Sequence, residues 1–153
     1  MTIGLVLVAL LAAVACGDGS SLGPRPPQSL YSEWVVESAP AGMAESVIVD
    51  SVFWNPAVLL PTGDDMVFEV EGPFAIRLRN LGETALELRY DLRFLDDGGF
   101  LVDRFIPFGQ PVALPAGQDQ LQQGTFIIRS PPDIGRFGLA TMQIVARLLQ
   151  PDP

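Results

Sequence analysis

From Tyr31 onward, apolar and polar residues alternate with a period of two, the spacing of strands with one buried face. The clearest run sets Leu86, Leu88, Tyr90, Leu92 and Phe94 against Glu87, Arg89, Asp91 and Arg93. It predicts a long antiparallel strand with its apolar side inward. Phe74, Ile76 and Leu78, alternating with Ala75, Arg77 and Arg79, predict another. Shorter runs lie around Val47, Val49, Val52 and Phe53, at Met66 to Val70, and at Thr125 to Arg129. Leu139 to Leu149 places Ala140, Met142, Ile144, Ala146 and Leu148 on one face of a strand; a helix competes there, because Leu and Ala also favour helix. Turn residues separate the runs at Asn80-Leu81-Gly82-Glu83, Asp96-Asp97-Gly98-Gly99, Pro115-Ala116-Gly117 and Ser130-Pro131-Pro132-Asp133. The 14 prolines suit loops and strand edges and oppose a helical bundle. The pattern predicts an all-β fold, an antiparallel β-sandwich of about seven strands over residues 30–150.

The start of the chain reads differently. Ile3 to Ala15 is apolar, with no charge and no proline. It is too short to span a bilayer, which needs about 20 residues, and has the length of a signal-peptide apolar region. Small residues follow, then Cys16, the one cysteine of the chain. Residues 1–15 therefore read as a signal peptide. An ordinary signal peptide cut after Ala15 and an uncleaved anchor are the alternatives. Residues 16–29 begin Cys-Gly-Asp-Gly-Ser-Ser and turn Pro-rich from Pro24, the composition of a tether.

Two resemblances follow. Ala13-Val14-Ala15-Cys16 resembles the lipobox of bacterial lipoproteins, with Ala13 where Leu is usual and no basic residue before Ile3. The resemblance implies lipid attachment at Cys16, cleavage before it, and a place in the cell envelope. Gly17, rather than Asp, after the cysteine implies the periplasmic side of the outer membrane in a diderm organism. Several acyl chains hold a protein far better than one, at about 0.8 kcal/mol per buried CH₂. The stretch Phe74 to Leu101, with Asn80-Leu81-Gly82 and Asp96 to Gly99, resembles the centre of immunoglobulin-like domains of bacterial surface proteins. Leu114-Pro115-Ala116-Gly117 matches the loop before their last strands. This resemblance implies an immunoglobulin-like fold and no particular function.

Composition narrows the chemistry. The chain carries 9 basic residues, all Arg, against 18 acidic ones, for a net charge of −9. Nucleic acid and anionic lipid surfaces are poor partners for such a chain. Without His, the commonest general base and metal ligand is missing, and serines have no imidazole to activate them. Without Lys, Schiff-base chemistry is out.

Candidate chemistry then rests on acids and aromatics. Asp64-Asp65 and Asp96-Asp97, the latter joined by Asp91 or Asp103, offer oxygen ligands for Ca²⁺; the competing reading is that Asp and Gly build the turn itself. Paired carboxylates also suggest glycoside hydrolysis, ranked last because a small sandwich has little room for a cleft. Trp34, Trp54, Phe105 and Phe108 are either a surface hot spot or core. Arg77, Arg79, Glu87, Arg89, Asp91 and Arg93 read as a solvated face with cross-strand pairs. A sheet edge offers a place for a partner strand. These readings lead to a membrane-anchored envelope lipoprotein whose domain is a non-enzymatic binding, adaptor or structural module. It is expected to need no cofactor or metal and to have envelope proteins as partners. The alternatives are an accessory subunit of an envelope enzyme or transport complex, and a small hydrolase using acidic residues.

Overall fold

The structure, a computed structural model, describes residues 30–58, 68–130 and 139–150. Residues 1–15, read as a signal peptide, Cys16 and the stretch 16–29 read as its tether, and Asp64-Asp65 lie outside those residues. Among the described residues there are nine strands: β1 (Tyr31–Ser38), β2 (Val47–Trp54), β3 (Ala57–Val58), β4 (Phe68–Asn80), β5 (Leu86–Asp96), β6 (Leu101–Phe105), β7 (Val112–Leu114), β8 (Asp119–Ser130) and β9 (Leu139–Leu149). The first sheet runs β1-β9-β5-β6, with β7 continuing along the β6 side of β5. In the second, β4 lies between β8 and the successive pieces β2 and β3. The fold is an all-β sandwich. Because β6/β7 and β2/β3 each share one edge, the nine strands occupy seven positions.

The five alternating residues of β5 are all buried and form the centre of the core. They face Phe74, Ile76 and Leu78 of β4 and Phe126 and Ile128 of β8. Phe94 and Phe126 meet across the layers at a tilt of 43° with 4.5 Å between ring centroids, and the Trp54 ring meets Phe94 edge-on at 5.7 Å. Burying each such side chain contributes about 1.5–3 kcal/mol. Leu139 to Leu149 is a strand, not a helix. Its alternate residues Met142, Ile144, Ala146 and Leu148 pack on the core while β5 and β1 pair along both of its edges.

The described part of the run Met66 to Val70, from Phe68 onward, and the run Phe74 to Arg79 belong to the single strand β4. Gly72-Pro73 interrupts the alternation but not the strand. At this point the chain passes from β2 to β3, and the Asn55 N–H donates to the Pro73 carbonyl at 3.2 Å. A residue's N–H and C=O point to the same side of a strand, so the donor that Pro73 lacks falls at this break in the ladder. Gly72 lets the Asn55 carbonyl come close: a Cβ there would overlap that oxygen and press on the Phe126 ring.

Asn80 ends β4 at the crossing to the other sheet. It is 0% exposed, and its amide is fully used. Nδ2 donates to the Thr84 carbonyl (2.9 Å) and the Leu114 carbonyl (3.0 Å), and Oδ1 accepts from Gly82 N–H (2.8 Å). The Asn-Leu-Gly turn is thereby tied to the end of β7.

Candidate interaction surfaces

The acidic residues come first, because hydrolysis and Ca²⁺ binding both need them together. In the turn after β5, Asp96 Oδ1 accepts from Gly98 N–H at 2.9 Å and Phe100 N–H at 2.8 Å, while Gly99 takes φ 79°. The carboxylate builds its own turn. Asp103 points toward the other sheet and accepts the Arg129 N–H at 2.7 Å, fastening β6 to β8 and closing that flank of the sandwich. Asp91 lies on the opposite, outer face of its sheet. Asp91, Asp96 and Asp103 are thus kept apart, and no group of three or more metal-capable side chains occurs among the described residues.

The six residues read as one charged face belong to two. Arg77 and Arg79 lie on the second sheet beside Asp119, at 3.6 and 3.7 Å. Glu87, Arg89, Asp91 and Arg93 lie on the first. There Asp91 is not solvated: it is 3% exposed, in a central strand, and Arg93 covers it with Nε at 3.0 Å. Arg93 also reaches Glu37 at 3.3 Å, and Arg147 pairs with the same carboxylate. The hydrogen bond from Arg147, with help from Arg93, holds the Glu37 carboxyl below its ordinary pKa. Burial alone pushes the Tyr90 phenol up. Five of the described arginines have an acid within 4.0 Å; Arg89 and Arg104 have none among the described residues.

The aromatics divide as well. Trp54 is core, and Phe105 packs edge-on against Phe74 at 6.2 Å. Trp34 is half-buried beside the core. Phe108 is 97% exposed. The loop that carries it is braced. Between the pairing of β5 with β6 and with β7, the chain leaves the edge at Ile106 and returns at Val112. Gln110 fills the gap with its side chain: Oε1 accepts the Tyr90 N–H at 2.8 Å, and Nε2 donates to the Tyr90 carbonyl at 2.6 Å and to the Pro107 carbonyl at 3.2 Å. The amide thus takes the place of a paired strand residue. Pro107 is buried, Gly109 turns the chain at φ 77°, and Ile106 and Phe108 project into solvent. By register the loop runs beside Asp91 to Arg89, with Arg104 at one end and Arg89 at the other.

On the far flank the sheets part. Ser32, Trp34, Val49, Ser51, Val52 and the nearly buried Ile144 line an open, partly polar cleft of about 250 Å³ between β1 and β2, with Asp50 and Glu33 at its border; the Glu33 carboxylate accepts from Gln143 Nε2 at 3.1 Å. Both strands are sheet edges, and each is bulged at an acidic residue, β1 at Glu37 and β2 at Asp50. Acidic bulges discourage a partner strand from adding to an edge. Neither the brace nor the cleft was legible in the sequence. A Gln contributes no periodic signal, and the cleft exists only because β1 pairs with the distant β9.

No family model and no curated protein matches this chain. Two solved structures are similar in shape only. The cj0090 protein of Campylobacter jejuni is 15% identical with a TM-score of 0.40, covering 76% of this chain and 97% of its own. A beta-glucuronidase from glycoside hydrolase family 2 is 16% identical with a TM-score of 0.34, covering 50% of this chain and 7% of its own.

Proposed function

We propose that this protein is a lipid-anchored envelope protein whose sandwich domain works as a non-enzymatic binding or adaptor module. The anchor is Cys16, preceded by its apolar stretch and small residues. The observation that carries the binding role is the braced loop: a fully exposed Phe108 held on a rigid edge is an affinity anchor, not a packing residue. The acidic side chains support the same reading, because Asp91, Asp96 and Asp103 are engaged in ion pairing and backbone hydrogen bonds. The linkage to a membrane is tested by Cys16→Ser. Acyl labelling should disappear and the domain should move to a soluble fraction. Retention in the membrane with unchanged mass would refute the anchor.

A further inference from the structure

The open edges of the two sheets are built differently. β1 is bulged at Glu37 and β2 at Asp50, and the other edge of the first sheet is broken between β6 and β7, where Pro107 and Pro111 stand. β8 has none of these devices. Its 12 residues pair with β4 without a bulge, contain no proline, and carry no charge from Gln120 to Ile128. Among the described residues no strand pairs with its outer side. A long, flat, uncharged edge is the kind that accepts another strand. We infer that β8 is a dimerisation edge: the β8 strands of two copies of this chain pair antiparallel about a two-fold axis at Gly124, joining their second sheets into one. This goes beyond the role carried by Phe108, whose loop belongs to the other sheet, and needs neither that role nor the anchor at Cys16.

The direction of the backbone comes first. The Pro73 carbonyl points toward β2, where it accepts from Asn55 N–H, so its register partner Thr125 points away from β4. Alternation then turns Leu121, Gln123, Thr125 and Ile127 the same way, with N–H and C=O toward the open edge. Arg129 agrees with this parity, because its N–H leaves the ladder for Asp103 Oδ2 at 2.7 Å. That bond also ends the open stretch at Ile127. Among the described residues, the groups of this stretch meet a single partner, Gln122 Nε2 at 3.4 Å from the Leu121 carbonyl.

A second copy is the occupant because the outward residues of this stretch match their own reverse. In the register centred on Gly124, the exposed Leu121 of one copy lies against the exposed Ile127 of the other, and Gln123 lies against Thr125, on both sides of the axis. A shift of the axis by one residue sets Leu121 against Thr125 or Arg129 instead. On the axis, the pair of closest approach is Gly124 with its twin, which has no side chain to obstruct it. Beyond the ladder, Asp119 of each copy comes opposite Arg129 of the other. Both already have intrachain partners, so they select the register more than they add affinity. In a chain of net charge −9, an uncharged strand is also where two copies meet with least repulsion. A self-matching edge gives an isologous contact, which closes at two copies.

Sedimentation equilibrium of the full chain, in mild detergent with micelles in excess, tests this. A monomer–dimer equilibrium is expected. Thr125→Pro removes one outward N–H from each copy and leaves the ladder to β4 intact, so it should weaken the dimer by about tenfold or more. Phe53→Ser, at an exposed position on the opposite edge of the same sheet, should leave it unchanged. Leu121→Lys and Ile127→Glu should each weaken the dimer. Combined in one chain they should restore it, because the axis sets each new Lys against a new Glu. Amide hydrogen exchange at Leu121, Gln123, Thr125 and Ile127 should slow as concentration rises and the dimer forms. A chain that stays monomeric at all concentrations would overturn the inference. So would a dimer indifferent to Thr125→Pro when the variant keeps its native circular dichroism, or a double variant that associates no better than the single ones. Should Thr125→Pro fail to fold, the Leu121→Lys and Ile127→Glu set, on the exposed face, decides by itself.

Discussion

Replacing Asn80 separates loss of hydrogen bonds from burial of charge. In Asn80→Ala, the carbonyls of Thr84 and Leu114 and the N–H of Gly82 lose their partners at a fully buried position. Each unsatisfied buried group costs about 1–3 kcal/mol, and partial relaxation brings the expected loss to about 3–5 kcal/mol at any pH. Asn80→Asp keeps the acceptor for Gly82 but sets an oxygen against two carbonyl oxygens at 2.9 and 3.0 Å. Protonated, the new carboxyl can still donate to one of them, so at pH 3 the loss should be smaller than for alanine. Ionised, it faces two acceptors without solvent, so its pKa in the folded state rises above the unfolded value of about 3.9. A group with a raised folded pKa adds stability below the unfolded pKa and loses it as pH climbs toward the folded one. The Asn80→Asp deficit should therefore deepen from about pH 4 upward, by up to about 1.4 kcal/mol per pH unit. Urea unfolding of wild type and both variants at pH 4 and pH 7 reads this directly. A domain of this size has about 5–15 kcal/mol in total, enough for the variants to be measured folded. Equal losses for Asn80→Asp at the two pH values would refute the assignment of Asn80 as a buried double donor.

The chain has two tyrosines, Tyr31 exposed and Tyr90 buried with a raised pKa. In an alkaline titration followed by phenolate absorbance, the Tyr90 signal should appear only with unfolding. Stability from Tyr90 is present below about pH 10 and lost above it. Ionisation of Tyr90 while the circular dichroism stays native would contradict its burial. Gly72→Ala should destabilise by about 2 kcal/mol or more in chemical denaturation, because the methyl group must displace the Asn55 backbone. A loss under about 0.5 kcal/mol would mean that the β2–β3 crossing lies elsewhere.

The chain's own pattern determined its layers. Five apolar residues at period two can bury one face only as a strand, which placed Leu86 to Phe94 in the core, and Asp96 to Gly99 could only turn. The same local logic offered the turn as one reading of the Asp96 carboxylate, and its bonds from Gly98 and Phe100 N–H are those of that turn. Periodicity did not show that β1 joins β9 in parallel, 110 residues away by the Gln143–Glu33 bond, because pairing between distant segments leaves no local signature. That pairing makes β1 an edge, opens the cleft beside β2 and brings Glu37 to Arg93 and Arg147. Tertiary structure also divided one apparent charged face between two sheets and buried Asp91 beneath Arg93. Phe108 shows the same limit. Hydrophobicity alone sends an aromatic inward, but the edge gap filled by Gln110 turns this one out. Local alternation fixes which way a strand faces, while long-range pairing decides which surfaces remain for another molecule to meet.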